Sequence, residues 1–321
     1  MPHANVQADL PPDHAERVAR MRLSLDGLSV GDAFGDVLMF GGNWAHALRE
    51  RRLAPPPWLV TDDTMMAVSI VEQLDALGRI DQDDLARRFA ERFGADPNRG
   101  YGLGAMRLLT RLVNGADWRA EAGAMFGGTG SMGNGSAMRV APLGAYFADD
   151  LDAVVEQAAL SAGVTHAHPE GGAGAIAVAV AAAEAWRIGR DVTPAARRGL
   201  IEAALARTPE GATKAGIARA LDVPLHEPPD RAARRLGNGS EVTCPDTVPL
   251  CLWCAARHLD RYEEAIWATA SALGDCDTTC AIVGGIVALA AGRDSLPDAW
   301  LDRREPLPEP PGRAPRRPPG R

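Results

Sequence analysis

Val60-Thr61-Asp62-Asp63-Thr64, followed at once by the apolar run Met65-Met-Ala-Val-Ser-Ile-Val71, is the stretch on which the reading of this chain turns. Two adjacent carboxylates with a hydroxyl on each side are poor core material. As a compact set of hard oxygen donors they suit Mg²⁺, Mn²⁺ or Ca²⁺ better than zinc. Behind them Met66, Ile70, Leu74 and Leu77 recur at helical spacing, which predicts a helix over Met65 to Leu77, capped by Thr61 or Asp62. A plainer alternative makes the two aspartates an N-cap and a partner for the helix dipole. A second oxygen-rich set, Asp275-Cys276-Asp277-Thr278, stands far downstream before another apolar run, Cys280 to Gly292. The duplication at two helix entrances favours a single metal centre to which both sets contribute.

Between the two sets lies Gly127-Gly-Thr-Gly-Ser-Met-Gly-Asn-Gly135, five glycines in nine residues, after which Ser136 to Val140 can begin a helix. Such a loop exposes backbone N–H groups, and a helix N-terminus beside it adds positive partial charge, a combination that binds phosphate. It is neither a Walker motif nor a GxGxxG turn after a strand. The competing reading is a flexible linker, which the lack of Lys and Glu and the immediate run into Ala137-Met-Arg-Val-Ala-Pro-Leu-Gly144 make less apt.

The rest of the chain is helical in pattern, with almost no strand signals. Ala15 to Leu28 has helical spacing and runs into Gly27-Leu-Ser-Val-Gly-Asp-Ala-Phe-Gly35, whose glycines four apart permit a close helix crossing. Gly41 to Pro57 reads as loop, and Gly94 to Gly102 as a loop in which Arg99 and Tyr101 can face a site while Asp96 fits ordinary turn chemistry. Helices are predicted over 83–93, 103–113, 151–163, 171–187, 197–206, 214–221, 247–259 and 262–273, with Pro224 to Pro229 a loop. The helix over 171–187 is apolar nearly all round and belongs at the centre. His166 and His168 precede it, as caps or as site residues. Cys251, Cys254 and His258 suggest zinc only superficially, since nothing completes four ligands; buried thiols on a core helix account for them.

Composition sets the outer bounds. A chain of 321 residues, 46% hydrophobic and only 5% aromatic, rich in Ala and Gly, suits closely packed helices. A formal charge of -8 argues against a dedicated nucleic-acid binder. Five cysteines, all late in the chain and not preceded by an apolar leader, point to a reducing cytoplasm, and no charge-free apolar run is long enough for a bilayer. One domain is expected over 15–300, between a disordered leader (1–14) and a disordered Pro- and Arg-rich tail (301–321).

In order and spacing these motifs agree with a known family: the sequence resembles the ADP-ribosylglycohydrolases. The likeness covers nearly all of residues 20–292 and rests on Gly27-x-x-x-Gly31-Asp-Ala-x-Gly35, Thr61-Asp-Asp-Thr64, Gly133-Asn-Gly-x-x-Met-Arg139, Thr165-His-x-His-Pro169 and Asp275-x-Asp-Thr278. It implies a compact, orthogonal multi-helix all-α fold holding two Mg²⁺ ions, with Mn²⁺ as an alternative. Thr61, Asp62, Asp63, Asp275, Asp277 and Thr278 would be metal ligands, and Asp62, Asp63 and Asp277 the catalytic carboxylates. Gly130, Ser131, Met132, Gly133, Asn134, Gly135, Met138, His168 and Tyr101 would contact the substrate, the glycine loop wrapping the diphosphate of ADP-ribose. The implied partners are an ADP-ribosylated acceptor and the ADP-ribose product, acting on a monomer with no membrane attachment. One departure stands out. Met39 occupies a position at which many members carry a Glu that serves the metal site, leaving Asp36 or Asp32 as possible substitutes. The family aromatics that sandwich adenine have no evident counterparts, and Met132 stands where some members have Tyr. Met39 motivates the alternative of an ADP-ribose-binding regulatory protein that has lost its chemistry; a structural protein is a third reading, disfavoured by the intact Asp/Thr sets.

Overall fold

Gly27, Gly31 and Gly35 recur every four residues, one step per helical turn, and leave a groove along one face of a helix. The computed structural model, which describes residues 10–40, 42 and 44–308, fills that groove with another helix backbone. A Cβ built on Gly27 would lie 2.4 Å from the Gly284 carbonyl oxygen, on Gly31 2.1 Å from that of Cys280, and on Gly35 2.3 Å from that of Cys276. The two helices therefore run antiparallel with backbones in contact, and the crossing brings the second Asp/Thr set against the end of the first helix. The glycine segment does not end a helix, as the sequence suggests. It is carried inside one, because the close partner replaces the stabilisation that the missing side chains withhold.

Sixteen α-helices and two short 3₁₀ turns, with no strand, make up the described residues. In chain order the helices are α1 His14–Phe40, α2 Trp44–Glu50, α3 Asp62–Leu77, α4 Gln82–Ala95, α5 Leu103–Val113, α6 Trp118–Gly128, α7 Ala141–Tyr146, α8 Leu151–Gly163, α9 Pro169–Ile188, α10 Pro194–Arg207, α11 Ala212–Ala220, α12 Pro229–Leu236, α13 Cys244–Arg257, α14 Tyr262–Ala270, α15 Cys276–Ala291 and α16 Asp298–Leu301. α5 and α8 have the bounds their periodicity predicts. α2 falls where loop is expected, and α6 and α12 lie mostly in stretches to which the sequence assigns no element. α12 is mostly Arg and Asp and buries only Ala232 and Leu236, too sparse a stripe to read; in α6 the helix breaks at Met125, Phe126 and Gly127.

α9 and α15 are buried along nearly their whole length and form the centre. α9 is long and apolar enough to cross a membrane by length and composition, but here α7, α8, α10, α13 and α15 surround it. All five cysteines are buried and free; Cys251 and Cys254 lie on the core helix α13, and His258 pairs with Arg257 instead of joining them at a metal.

The tail starts later than the sequence suggests. Trp58 N donates to the Arg303 carbonyl at 2.7 Å, Glu305 N donates to the Trp58 carbonyl at 2.9 Å, and Val60 N donates to the Glu305 carboxylate at 2.8 Å. Residues 302–308 thus bind the strand-like lead-in to the first Asp set. They are held there by Trp58, Phe34, Trp267 and Trp300, with Phe34 stacked on Trp300 at 4.8 Å. At the other end His14 opens α1 and bonds Tyr146 Oη at 2.7 Å, so it belongs to the domain. The remainder of the expected leader (1–9) and tail (309–321) lies outside the described residues.

Candidate active site

The first Asp set is built around Asp32 of α1. Its carboxylate accepts from Thr61 N (2.9 Å), Thr61 Oγ1 (2.8 Å), Thr64 N (3.3 Å) and Thr64 Oγ1. Both oxygens are filled, so Asp32 ties the start of α3 to α1. Thr61 is the cap of α3: its hydroxyl accepts from Asp63 N at 3.3 Å and lies 3.1 Å from Asp63 Oδ2. Asp62 N donates to the Arg99 carbonyl at 2.7 Å. Arg99 in turn donates to the Val60 carbonyl at 3.1 Å and pairs with Glu305, while Asp96 does turn chemistry with Asn98 and Arg99.

The second set arrives from the opposite side. Asp275 caps α15, with Asp277 and Thr278 in its first turn. Burial, and then the neighbouring Asp277 carboxylate, push the Asp275 carboxyl up. The glycine loop reaches this set directly: Asn134 Nδ2 donates to Asp275 Oδ2 at 2.7 Å and to Thr247 Oγ1 at 3.1 Å.

The electrostatics show that the two sets form one cluster. Burial and then the charge of Asp277 hold the Asp62 carboxyl well above the usual range. Burial and then the charge of Asp32 do the same for Asp63. Asp32 is pushed up to about 7 by burial, against the pull of its Thr64 bond, and Asp275 to about 7 by burial and by Asp277. Arg139, fully buried and over the Phe89 ring at 4.5 Å, is a cation that Asp62 feels; burial brings it down to about 9. One guanidinium against this many carboxylates leaves an excess of buried negative charge.

Among the described residues no three His, Cys, Asp or Glu side chains already converge as a metal cage. The donors nonetheless fit hard divalent cations. They are carboxylate and hydroxyl oxygens, and Asp63 Oδ1 is buried with no hydrogen-bond partner, a state that costs free energy unless something cationic faces it.

The glycine loop sits where the sequence puts it, but its residues divide the work differently. Gly130 has φ +76 and packs on the backbone of His168, where a Cβ would be 2.5 Å from the His168 N. Ser131 Oγ accepts from Gly133 N at 3.1 Å, and Met132 is exposed. Three expected substrate contacts have partners within the protein. The Asn134 amide is spent on Asp275 and Thr247. Met138 is buried in the core. His168 caps α9 by accepting from Glu170 N at 3.1 Å. It is His166 that underlies the loop, its ring within 3.3 Å of the Cβ positions of Gly133 and Gly135; burial and Arg139 keep it neutral, near 3. Tyr101 is buried edge-on against Phe93 at 5.0 Å, near enough to feel Asp62, and burial raises its hydroxyl.

A model of the ADP-ribosylglycohydrolase family matches residues 13–313. The chain belongs to that family. Human ADP-ribosylhydrolase ARH3 is 30% identical over 268 residues, 75% of this chain and 73% of that protein. The mouse ADP-ribosylhydrolase ARH3 is 28% identical over 335 residues, 89% and 87%. A solved ADP-ribosylglycohydrolase-related protein complex superposes with a TM-score of 0.65 at 26% identity, covering 91% of this chain and 94% of that one. The all-α ADP-ribosylglycohydrolase fold and the enzyme class of this chain are thereby those of the family.

Two further residues of this ADP-ribosylglycohydrolase escape sequence reasoning. Phe126, beside the loop, is 66% exposed and left-handed at φ 52, strain that a buried packing role does not explain. An aromatic just before a glycine run is the signal that was available. Glu305 offered no signal, because it lies in Pro-rich sequence that reads as tail.

Proposed function

We propose that this ADP-ribosylglycohydrolase hydrolyses the glycosidic bond between ADP-ribose and a modified acceptor, with Mg²⁺ (or Mn²⁺) held by the two Asp/Thr sets. The observation that carries the reading is the buried, unpartnered Oδ1 of Asp63 inside a carboxylate cluster that the glycine loop abuts. Thr61, Asp62, Asp63, Asp275, Asp277 and Thr278 would hold two ions. Divalent cations there would orient a sugar diol and acidify water.

The chain's own residues do the remainder. Within Gly130 to Gly135 the backbone N–H groups of Gly130, Gly133 and Asn134 are held by Met125, Ser131 and Val242, so those of Ser131 and Met132 would face an anionic diphosphate, with the neutral His166 stiffening the loop beneath it. The exposed Phe126 ring offers a face to a base. Asp62 and Asp63, with carboxyls held above their ordinary range by burial, are placed to take a proton as the glycosidic bond opens through an oxocarbenium-like state. Five buried thiols suit a reducing, cytoplasmic setting. A monomer without membrane attachment or general nucleic-acid binding completes the proposal.

The test is titration of Mg²⁺ and Mn²⁺ into metal-free protein by calorimetry, with and without ADP-ribose, alongside release of ADP-ribose from arginine-, serine- and nucleobase-linked substrates. Two ions, bound more tightly with ADP-ribose present and lost in Asp277→Ala, together with product release, is the expected result. ADP-ribose binding with no metal and no turnover would replace the hydrolase by the regulatory protein that Met39 suggests.

A further inference from the structure

Asp277 has a neighbour that neither Asp/Thr set contains. At the end of the glycine crossing, a Cβ on Gly35 would lie 2.6 Å from Asp277 Cα. The next residue on α1, Asp36, is half-buried, and its carboxyl feels the charge of Asp277 directly. Among the described residues Asp36 makes no hydrogen bond and no ion pair. Asp32, one turn earlier on the same face, differs in this respect: its two oxygens are occupied by Thr61 and Thr64. Met39, one turn later, presents a thioether, which is no donor for a hard cation. By helical spacing Asp32, Asp36 and Met39 share one face of α1, and Asp36 alone among them has oxygens to spare.

Two carboxylates packed side by side without partners are unfavourable while both are ionised, and a cation between them is one way to relieve it. The cluster already calls for positive charge at the buried, unpartnered Asp63 Oδ1. We propose that Asp36 is an additional cation-binding carboxylate of this chain, closing with Asp277 the open side of the centre whose inner side is Asp62 and Asp63. This rests on the metal-dependent reading above, and it resolves the choice between Asp32 and Asp36 by showing that Asp32 is already committed. It also removes the motive for regarding Met39 as the mark of a lost second ion.

The experiment uses the full chain, freed of metal, with Mn²⁺ as the probe. Bound Mn²⁺ is counted by the loss of the free-ion electron paramagnetic resonance signal, and the Mn²⁺-induced rise in Tm is recorded in parallel. Wild type, Asp36→Asn, Met39→Ala and Asp277→Ala are compared. The expected result is two ions in wild type and in Met39→Ala, with one of the two weakened by roughly tenfold or more in Asp36→Asn. The metal-free Tm of Asp36→Asn should not fall, since the change relieves repulsion. Two ions bound by Asp36→Asn as tightly as by wild type would overturn the proposal and leave the metal reading standing, with Asp277→Ala still defective. Equal losses in Met39→Ala and Asp36→Asn would overturn it as well, by showing a general disturbance of α1. No Mn²⁺ bound by wild type would sink the metal-dependent reading itself, and the role of Asp36 with it.

Discussion

The two Asp/Thr helix entrances look alike in sequence and behave differently in the fold. The entrance to α3 is buried: Thr61, Asp62, Asp63 and Thr64 are all enclosed, Asp32 secures both threonines, and Glu305 and Arg99 hold the chain just before it. The entrance to α15 is more open, with Asp275 and Asp277 partly exposed and lying side by side. One entrance is a fixed floor. The other is a more open wall, steadied by the single amide of Asn134. A pair of carboxylates can therefore serve as scaffold or as working surface, and which it becomes depends on how many of its oxygens the fold has already occupied.

The largest expected effect tests whether buried charge is the common cost of both entrances. Asp32 and Asp275 have folded values near 7 against an ordinary 3.8. For a carboxyl raised on folding, the folded state binds the proton more tightly, so stability is greatest below about 4 and declines as pH climbs through 7. Asp32, fully enclosed, accounts for on the order of 4 kcal/mol of that decline. Metal-free protein should melt at a higher temperature at pH 5 than at pH 8, and Mg²⁺ should remove most of the difference. Asp275→Asn should lose the outer share of the pH dependence and keep the inner one. A flat profile in chelator would show that the charges are compensated from within the protein.

Next in size is the joint between the two entrances. Gly35→Ala drives a methyl into the Cys276 carbonyl and the Asp277 backbone. It should cost about 3 kcal/mol by overpacking and part the two sets. Thermal melts and Mn²⁺ counting together check this; a variant that is destabilised yet binds two ions would show that the crossing supports the fold and not the cluster.

Asn134→Ala addresses the open entrance alone. It removes the amide from Asp275 and should cost about 2 kcal/mol, the scale of a hydrogen bond to a charged group. ADP-ribose release should fall as the wall loosens. If the variant loses stability and keeps full turnover, Asn134 is a strut and nothing more.

The smallest change is expected at the closed entrance. Glu305→Ala breaks one partly exposed ion pair and one bond to Val60 N, worth about 1 kcal/mol. Turnover should stay close to wild type, because Asp32 still holds the floor. A large loss of turnover would make residues 302–308 part of the site.

Much of this protein can be read along the chain because much of it is local. The apolar spacing of α5 and α8 places their ends correctly, since buried faces recur at 3.6 residues and both helices have clear boundaries. The capping of α3 by Thr61, the buried free thiols of α13 and the all-α class follow from the same kind of local chemistry. So does the presence of two sets of hard oxygen donors, because the residue types alone supply those oxygens. What local pattern cannot contain is who meets whom. The glycine stripe of α1 reads as a helix end until α15 is laid along it; only then do its close contacts become favourable. That the Asn134 amide donates to Asp275 and Thr247 is likewise invisible along the chain. Asp32 and Asp36 are alike in type and both feel Asp277, but only Asp32 is fully buried with its oxygens taken by Thr61 and Thr64. Residue type sets what a side chain can bind, and the chain by itself determined that. Which of its atoms remain free to bind is a matter of packing between segments distant in sequence, and only the tertiary structure decided it.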